Sequence, residues 1–279
     1  MPQRQVRYYF GRLNLITPGR VKLEVLRNAL ASDAVLEVRG QSWGFYEFSE
    51  LRSSDPSLLT GFLVKYKPKA EEEIVVPERH ALEEKAIENR VTAKSRFFLH
   101  ANSGLIVYHP VGSQIPRQLF ASRFVEVFQY ALQDFFVSAD IQSIEEQFKF
   151  IEELKSFTTV HQVSIYLHPS NPSSRDVWQN LDQRIKAINA SSYKEKYESD
   201  KRRGTLRIIE DTEISQKIAM AEDGYGKVEV TGEKNGKIRE ISTRDNPLSI
   251  LAPPDDENPE ELLPALRDTI TGFLERFKQ

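Results

Sequence analysis

The chain has 279 residues, a formal net charge of −3 and no cysteine, with 39% hydrophobic and 28% charged residues. This length exceeds the usual domain size, so two domains are expected, and the composition is that of a folded chain rather than a disordered or collagenous one. Without cysteine there is no disulfide, no thiolate catalysis and no sulfur-ligated zinc, and the small net charge confines any polyanion-binding surface to a local patch.

The first residues, Met-Pro-Gln-Arg leading into Val6-Arg7-Tyr8-Tyr9-Phe10, are too polar for a signal core, and no apolar run approaches a membrane span. A soluble, cytoplasmic protein is therefore expected. Tyr8 to Leu15 is strand-like, and Val21, Val25, Leu26 and Ala29 have helical spacing. Val35 to Val38, Trp43 to Phe48 and Gly61 to Tyr66 are β-branched and aromatic runs bounded by Gly, Ser and Asp, as half-buried strands are. Glu83-Glu84-Lys85 falls in a stretch with helical character. Ser95 to His100 and Leu105 to His109 flank Ala101-Asn102-Ser103-Gly104, which predicts a hairpin.

After Pro116, the residues Leu119, Phe120, Phe124, Phe128, Leu132 and Phe135 form one apolar helical stripe. A second helix is predicted from Ser143, which has Glu146 in capping-box spacing, through Ile144, Phe148, Ile151 and Leu154 to Lys155-Ser156. Val163 to Leu167 alternates as a strand and stops at His168-Pro169-Ser170-Asn171-Pro172. A helix capped by Ser173 or Ser174 follows, with Val177, Leu181, Ile185 and Ile188 as its stripe, and Leu206 to Ile209 is the next strand of a β-α-β unit. Ile214, Ile218 and Ala221 mark a short helix closed by Asp223-Gly224. Lys227 to Thr231 and Lys237 to Ile241 form a hairpin about Asn235-Gly236. Leu263, Leu266, Ile270, Phe273, Leu274 and Phe277 make a terminal helix amphipathic, which suits either its own core or a second subunit. The fold class is α+β, with domains at 1–157 and 158–279.

Catalytic signatures are not matched. Gly226-Lys227 lacks the earlier glycine and the following Ser or Thr of a phosphate loop, and there is no Gly-x-Ser-x-Gly elbow. His80, His100, His109, His161 and His168 are not spaced as a metal set, although the two that flank the hairpin could approach one another. Glu37-Val38-Arg39 has Arg where a metal-dependent nuclease needs Lys. No cofactor is predicted.

The densest cationic stretch runs from Ser192 to Arg207, where Lys194, Lys196, Lys201, Arg202, Arg203 and Arg207 interleave with Tyr193 and Tyr197. Lys227, Lys237 and Arg239, expected to face away from Val228, Val230 and Ile238, extend the field, as do Lys234 and Arg244. Such a cluster holds phosphate backbones by charge and counterion release. The bland alternative is a solvated connector whose tyrosines rest on the core.

Phe97-Phe98-Leu99, Gly104-Leu105-Ile106-Val107, the run from Val163 to Pro169 into the charged segment Arg175 to Ala190, and the terminal amphipathic helix together resemble the RexA-like phage-exclusion proteins. Also similar are bacterial proteins encoded near phage-defence genes. The resemblance implies a non-enzymatic homodimer that binds DNA with little sequence preference and signals to a membrane-protein partner. The other readings left open are a metal-dependent nuclease and a protein-interaction subunit of a defence system. If the cationic stretch binds DNA, replacing Lys201, Arg202 and Arg203 together by Ala should weaken all duplex sequences alike. The slope of log affinity against log salt should then flatten by roughly 0.9 for each phosphate no longer neutralised. Unchanged binding in a salt series of gel retardations would leave a solvated connector.

Overall fold

The computed structural model describes residues 5–17, 21–51, 58–133, 137–146, 148–170, 175–200 and 204–254, and, near the C-terminus, 264, 266, 270–273 and 275. The chain is α+β, with a curled eight-stranded antiparallel sheet in the form of a half-barrel, a four-stranded antiparallel sheet and, among the described residues, six helices.

Val6–Ile16 (β1) alternates so that Leu13 and Leu15 enter one core and Tyr8 and Phe10 another on the opposite face. Lys22–Leu30 (α1) follows, then Leu36–Val38 (β2), Gln41–Glu50 (β3), Leu58–Val76 (β4), Ala81–His100 (β5) and Leu105–Tyr108 (β6). These run as the meander β6-β5-β4-β3-β2, with β1 beyond β6. Arg117–Leu132 (α2) lies under the sheet beside α1, and its Phe120 ring stacks on Tyr108 at 4.0 Å between centroids. Ser138–Ser143 (β7) pairs with the outer edge of β1. The same edge, nearer the N-terminus, is taken by Ser249–Ala252 (β12). Because the strands beside β1 are covered on both faces, the sequence there reads as the unbroken runs Phe97-Phe98-Leu99 and Leu105 to Tyr108 rather than as alternation.

The second sheet comprises Thr159–Leu167 (β8), Tyr193–Glu198 (β9), Gly226–Lys234 (β10) and Lys237–Ser242 (β11), in the order β11-β10-β8-β9. One face is packed by Lys149–Leu154 (α3), Gln179–Ala187 (α4) and Thr212–Met220 (α5) around Val163, Ile165, Val228 and Val230. Asn235 and Gly236 sit at φ +53° and +71°, which gives the two positive-φ corners that a tight hairpin turn needs.

Several expectations are corrected. The predicted helix from Ser143 is a strand followed by the short α3, because Ile144 is buried on the first sheet while Phe148 is exposed and left-handed. Glu83-Glu84-Lys85 lies in β5. There the pairing of β4 with β5, begun in the core, continues outward as a ribbon to Val76 opposite Ala81 and overrides local helix preference. Of the predicted stripe, Leu181 and Ile185 are buried in α4 together with Trp178, whereas Val177, in a 3-10 turn at Asp176–Trp178, and Ile188, past the helix's C-terminal end, are exposed. The β-α-β unit is an antiparallel strand pair. Tyr193–Glu198 takes the edge of β8, so Leu206 to Ile209 forms no strand, and Leu206 N bonds only Val160 O at that edge's end.

From beyond residue 158, β12 and the terminal helix (α6, described at 264, 266, 270–273 and 275) return to the first sheet. Leu266 and Phe273 are buried there against Phe10, Phe98 and Val107, so the apolar stripe offered for a second subunit is used at home at these positions. Leu263, Leu274, Phe277, Phe135, Ser173 and Ser174 lie outside the described residues.

The two sheets meet at Arg12, which is fully buried in β1. Its Nη1 donates to Ser103 O (2.5 Å) and its Nε to Asp223 O (3.2 Å), and the guanidinium lies 4.5 Å from the Tyr225 ring centroid. Gly224 has φ +85°, and a Cβ there would lie 2.6 Å from Arg12 Cβ. Gly224→Ala is therefore expected to destabilise the protein by about 2–4 kcal/mol, with overpacking adding to left-handed strain, as read from the urea midpoint.

Candidate nucleic-acid interface

The helices cover one face of the second sheet and, among the described residues, leave the other open. Pairing of β8 with β9 and β10 sets the residues of the open face in cross-strand rows: Lys194, Tyr166 and Lys227 in the first, Lys196, Ser164 and Glu229 in the next, Glu198, Gln162 and Thr231 in the third. Cations thus gather at one end and acids at the other. These first two rows line a shallow concavity of about 500 Å³. Lys194 Nζ stands 5.2 Å from the Tyr166 ring centroid. Lys196 pairs with Glu198 (2.5 Å) and Lys227 with Glu229 (2.6 Å), and these exposed or half-buried pairs are weak enough for a polyanion to displace.

The cationic end continues onto the first sheet. Arg244, just beyond β11, donates to Gln142 Oε1, and Gln142 in turn donates to Asp140 Oδ2. Asp140 faces His168 Nε2 at 3.3 Å, while His168 Nδ1 is 3.2 Å from Ser191 O and its ring meets Tyr166 edge-on. Burial alone would push Asp140 up, but its hydrogen bonds with His168 and Gln142 outweigh burial and hold it below the usual carboxylate range. Arg117 joins Arg244 across a second cavity of about 370 Å³ between α2 and β7. The result is a track of positive groups, Lys194, Lys227, Arg244 and Arg117, interrupted by Asp140.

Beneath the open face the tyrosines of the cationic stretch point inward. Tyr193 and Tyr197 alternate with Glu195 on the core side of β9 and surround the fully buried Lys217 of α5. Lys217 bonds Glu195 and, at 3.1 Å, Glu213. Burial pulls its ammonium pKa down, yet the bonds to Glu195, Glu213 and Tyr193 prevail and hold it above the ordinary value.

The sequence-predicted residues are therefore divided. Lys194 and Lys196 stand together on the open face, joined by Lys227 and Arg244. Lys237 and Arg239 lie on the opposite side, because Arg239 is paired with Gly232 in the parity of Val230 and Ile241, and Ile238 takes the open side instead. Arg207 is exposed beyond β9, and Lys201, Arg202 and Arg203 lie outside the described residues. Arg117, 127 residues from Arg244 in sequence but linked to it by Nη2 to Arg244 O at 3.4 Å, carries no local signal that finds it.

His100 and His109 end opposite sides of the hairpin; the first is bonded to Ser103 Oγ (2.7 Å) and the second packs on Tyr8. Among the described residues no group of three His, Asp or Glu is placed to hold a metal ion, and no helix is long and apolar enough to cross a membrane.

Fold and surface define an α+β protein in which a helix-backed antiparallel sheet presents a tyrosine-bearing open face with lysines gathered at one end and acids at the other. The family described as Domain of unknown function (DUF4747) matches residues 6–271, and the chain belongs to that family. No curated protein matches it.

One titratable group lies under the turn that carries Arg244. Glu145 is fully buried and accepts from Asn246 N (3.0 Å), and its Oε1 has no hydrogen-bond partner among the described residues. Burial, with Asp245 and Glu222 nearby, pushes its carboxyl up to about 8 from 4.5. Between these two values the folded state binds more protons than the unfolded one, so stability falls as pH rises through that window. Glu145→Gln should leave stability near pH 4.5 little changed and raise it near pH 8, flattening the profile of urea midpoints between those values.

Proposed function

We propose that this protein binds nucleic acid, with little sequence preference, through the open face of its second sheet. The observation that carries this reading is the row Lys194, Tyr166, Lys227 across three adjacent strands, with Lys196 and Arg244 beside it, around a concavity of about 500 Å³. Lys194 and Lys227, two strand spacings or about 10 Å apart across β8, can each meet a phosphate, and the half-exposed tyrosine between them gives a base a ring to stack on. Single-stranded segments suit such a face best, since their bases are free to lie on it. Given the resemblance to the phage-exclusion proteins, the polymer is DNA in a phage-defence setting, with the protein acting as sensor or regulator.

Fluorescence anisotropy of a labelled single strand over a salt series tests this reading. Replacing Lys194, Lys196 and Lys227 together by Ala should flatten the slope of log affinity against log salt by about 2, at about 0.7 per phosphate on single strands. Replacing Lys237 and Arg239, on the other face, should leave the slope unchanged. A parent protein that does not bind at low salt, or a triple variant that binds like the parent, would overturn the reading.

A further inference from the structure

We propose that the cleft between α2 and β7 binds a phosphomonoester, borne either by the end of a nucleic-acid strand or by a free nucleotide. The strand-end case rests on the nucleic-acid reading above, and the free-nucleotide case does not. The cleft measures about 370 Å³, within the range of ligand sites and towards its lower end.

Its wall carries two guanidiniums that no carboxylate holds. Arg117 is half-buried and Arg244 exposed, and both line the cleft, so a ligand there can reach them. Arg117 Nη2 lies 3.4 Å from Arg244 O, and its guanidinium stands 5.4 Å from the Tyr9 ring centroid. Arg244 donates to Gln142 Oε1. These partners are neutral, and among the described residues neither arginine forms an ion pair, whereas Arg27, Arg123 and Arg175 each hold a carboxylate. Arg117 also opens α2, whose first turn has no acidic residue and whose N–H groups no side chain caps, so the positive end of the helix adds to the field. Two carboxylates share the wall, but each is engaged elsewhere: Glu126 by Arg123, and Asp140 by Gln142 and, at 3.3 Å, His168 Nε2. Arg244 is the least of the influences that hold Asp140 below its usual range.

Two guanidiniums from separate elements present more donors than the two oxygens of a carboxylate accept. The three terminal oxygens and nearly double charge of a phosphomonoester match them better. A phosphodiester within a strand has a single charge and one fewer free oxygen, so the arrangement favours an end over the interior of a strand. Ser122 and Ser143 bring hydroxyls to the same wall, and Ala121, Val125 and Ile141 give a sugar or base an apolar surface.

The full-length protein should be titrated calorimetrically with adenosine monophosphate, adenosine and acetate. Fluorescence anisotropy should compare one labelled single strand carrying a phosphate at its 5′ end, at its 3′ end or at neither. The nucleotide, an end-phosphorylated strand or both are expected to bind about tenfold more tightly than the unphosphorylated counterpart. Arg117→Gln and Arg244→Gln should each reduce that advantage and together cancel it, while Lys237→Ala, on the far side of the second sheet, should keep it. Should Arg117→Gln fail to fold, Arg244→Gln decides. An advantage for the nucleotide alone assigns the cleft to free nucleotides, and one for the strand alone assigns it to strand ends. Strands that bind regardless of their end phosphate, with no preference for the nucleotide over adenosine, would overturn this proposal and leave the nucleic-acid reading standing. Strands that never bind, beside a nucleotide whose binding needs the two arginines, would do the reverse. An advantage that survives both replacements, or acetate that binds as tightly as the nucleotide, would also overturn it.

Discussion

The arrangement of the two sheets depends on a guanidinium kept out of water. Arg12 sits in the middle of β1 with no exposed surface, and its hydrogen-bonded partners on either side are carbonyls, Ser103 O from the β5-β6 turn and Asp223 O from the segment after α5. Burying a charge is costly, and the cost here is offset by the hydrogen bonds from Nε and Nη1 and by the Tyr225 and Phe273 rings, which cover the guanidinium at 4.5 and 5.2 Å. The segment 223–225 is therefore held against β1. Asp223 is held in turn by Trp178 Nε1 (2.9 Å) and Arg175, so the entry to α4 and the start of β10 follow from the same anchor. Asn14, two residues on, repeats the device through Gly224 O.

From that anchor the charge distribution of the surface follows. With β10 placed, Lys227 comes level with Tyr166 and Lys194, and the turn after β11 brings Arg244 over β7 to Gln142. A chain of hydrogen bonds and ring contacts then crosses between the sheets through Asp140, His168 and Tyr166. The seam is polar where the flanking cores are not, and it has a cavity on each side of Asp140. A chain with net charge −3 thus carries a positive region without any positive total. That region is local, and at physiological salt its field fades within about 8 Å.

The ribbon formed by β4 and β5 follows a different logic. Its base is part of the half-barrel core, whereas its outer part exposes Val75 and Leu82 and mixes Glu71, Glu72, Glu73, Glu83, Glu84 and Glu88 with Lys67, Lys69, Lys85 and Arg90. Nothing packs on it among the described residues, and its stability derives from continued pairing of strands that are anchored at the other end.

Much of this was legible from local pattern. The α+β class, the helix after Pro116, the hairpin at Asn235-Gly236 and the short helix before Gly224 rest on interactions within a few residues: stripe spacing, positive-φ turn residues and helix caps. The cationic character of the stretch holding Lys194 and Lys196 was equally visible. Side-chain direction was not, because it depends on strand register: Tyr193 and Tyr197 turn inward on Lys217, and Arg239 parts from Lys227, only once β9 and β10 are paired with β8 and β11. The return of β12 to β1, the burial of Arg12 and the meeting of Arg117 with Arg244 join residues more than a hundred positions apart or cross from one core to another. What the sequence determined by itself was therefore which segments become strands, helices and turns where neighbours along the chain decide. What only the tertiary structure decided was which faces those segments show to solvent, since that depends on pairing and burial between partners that no local pattern brings together.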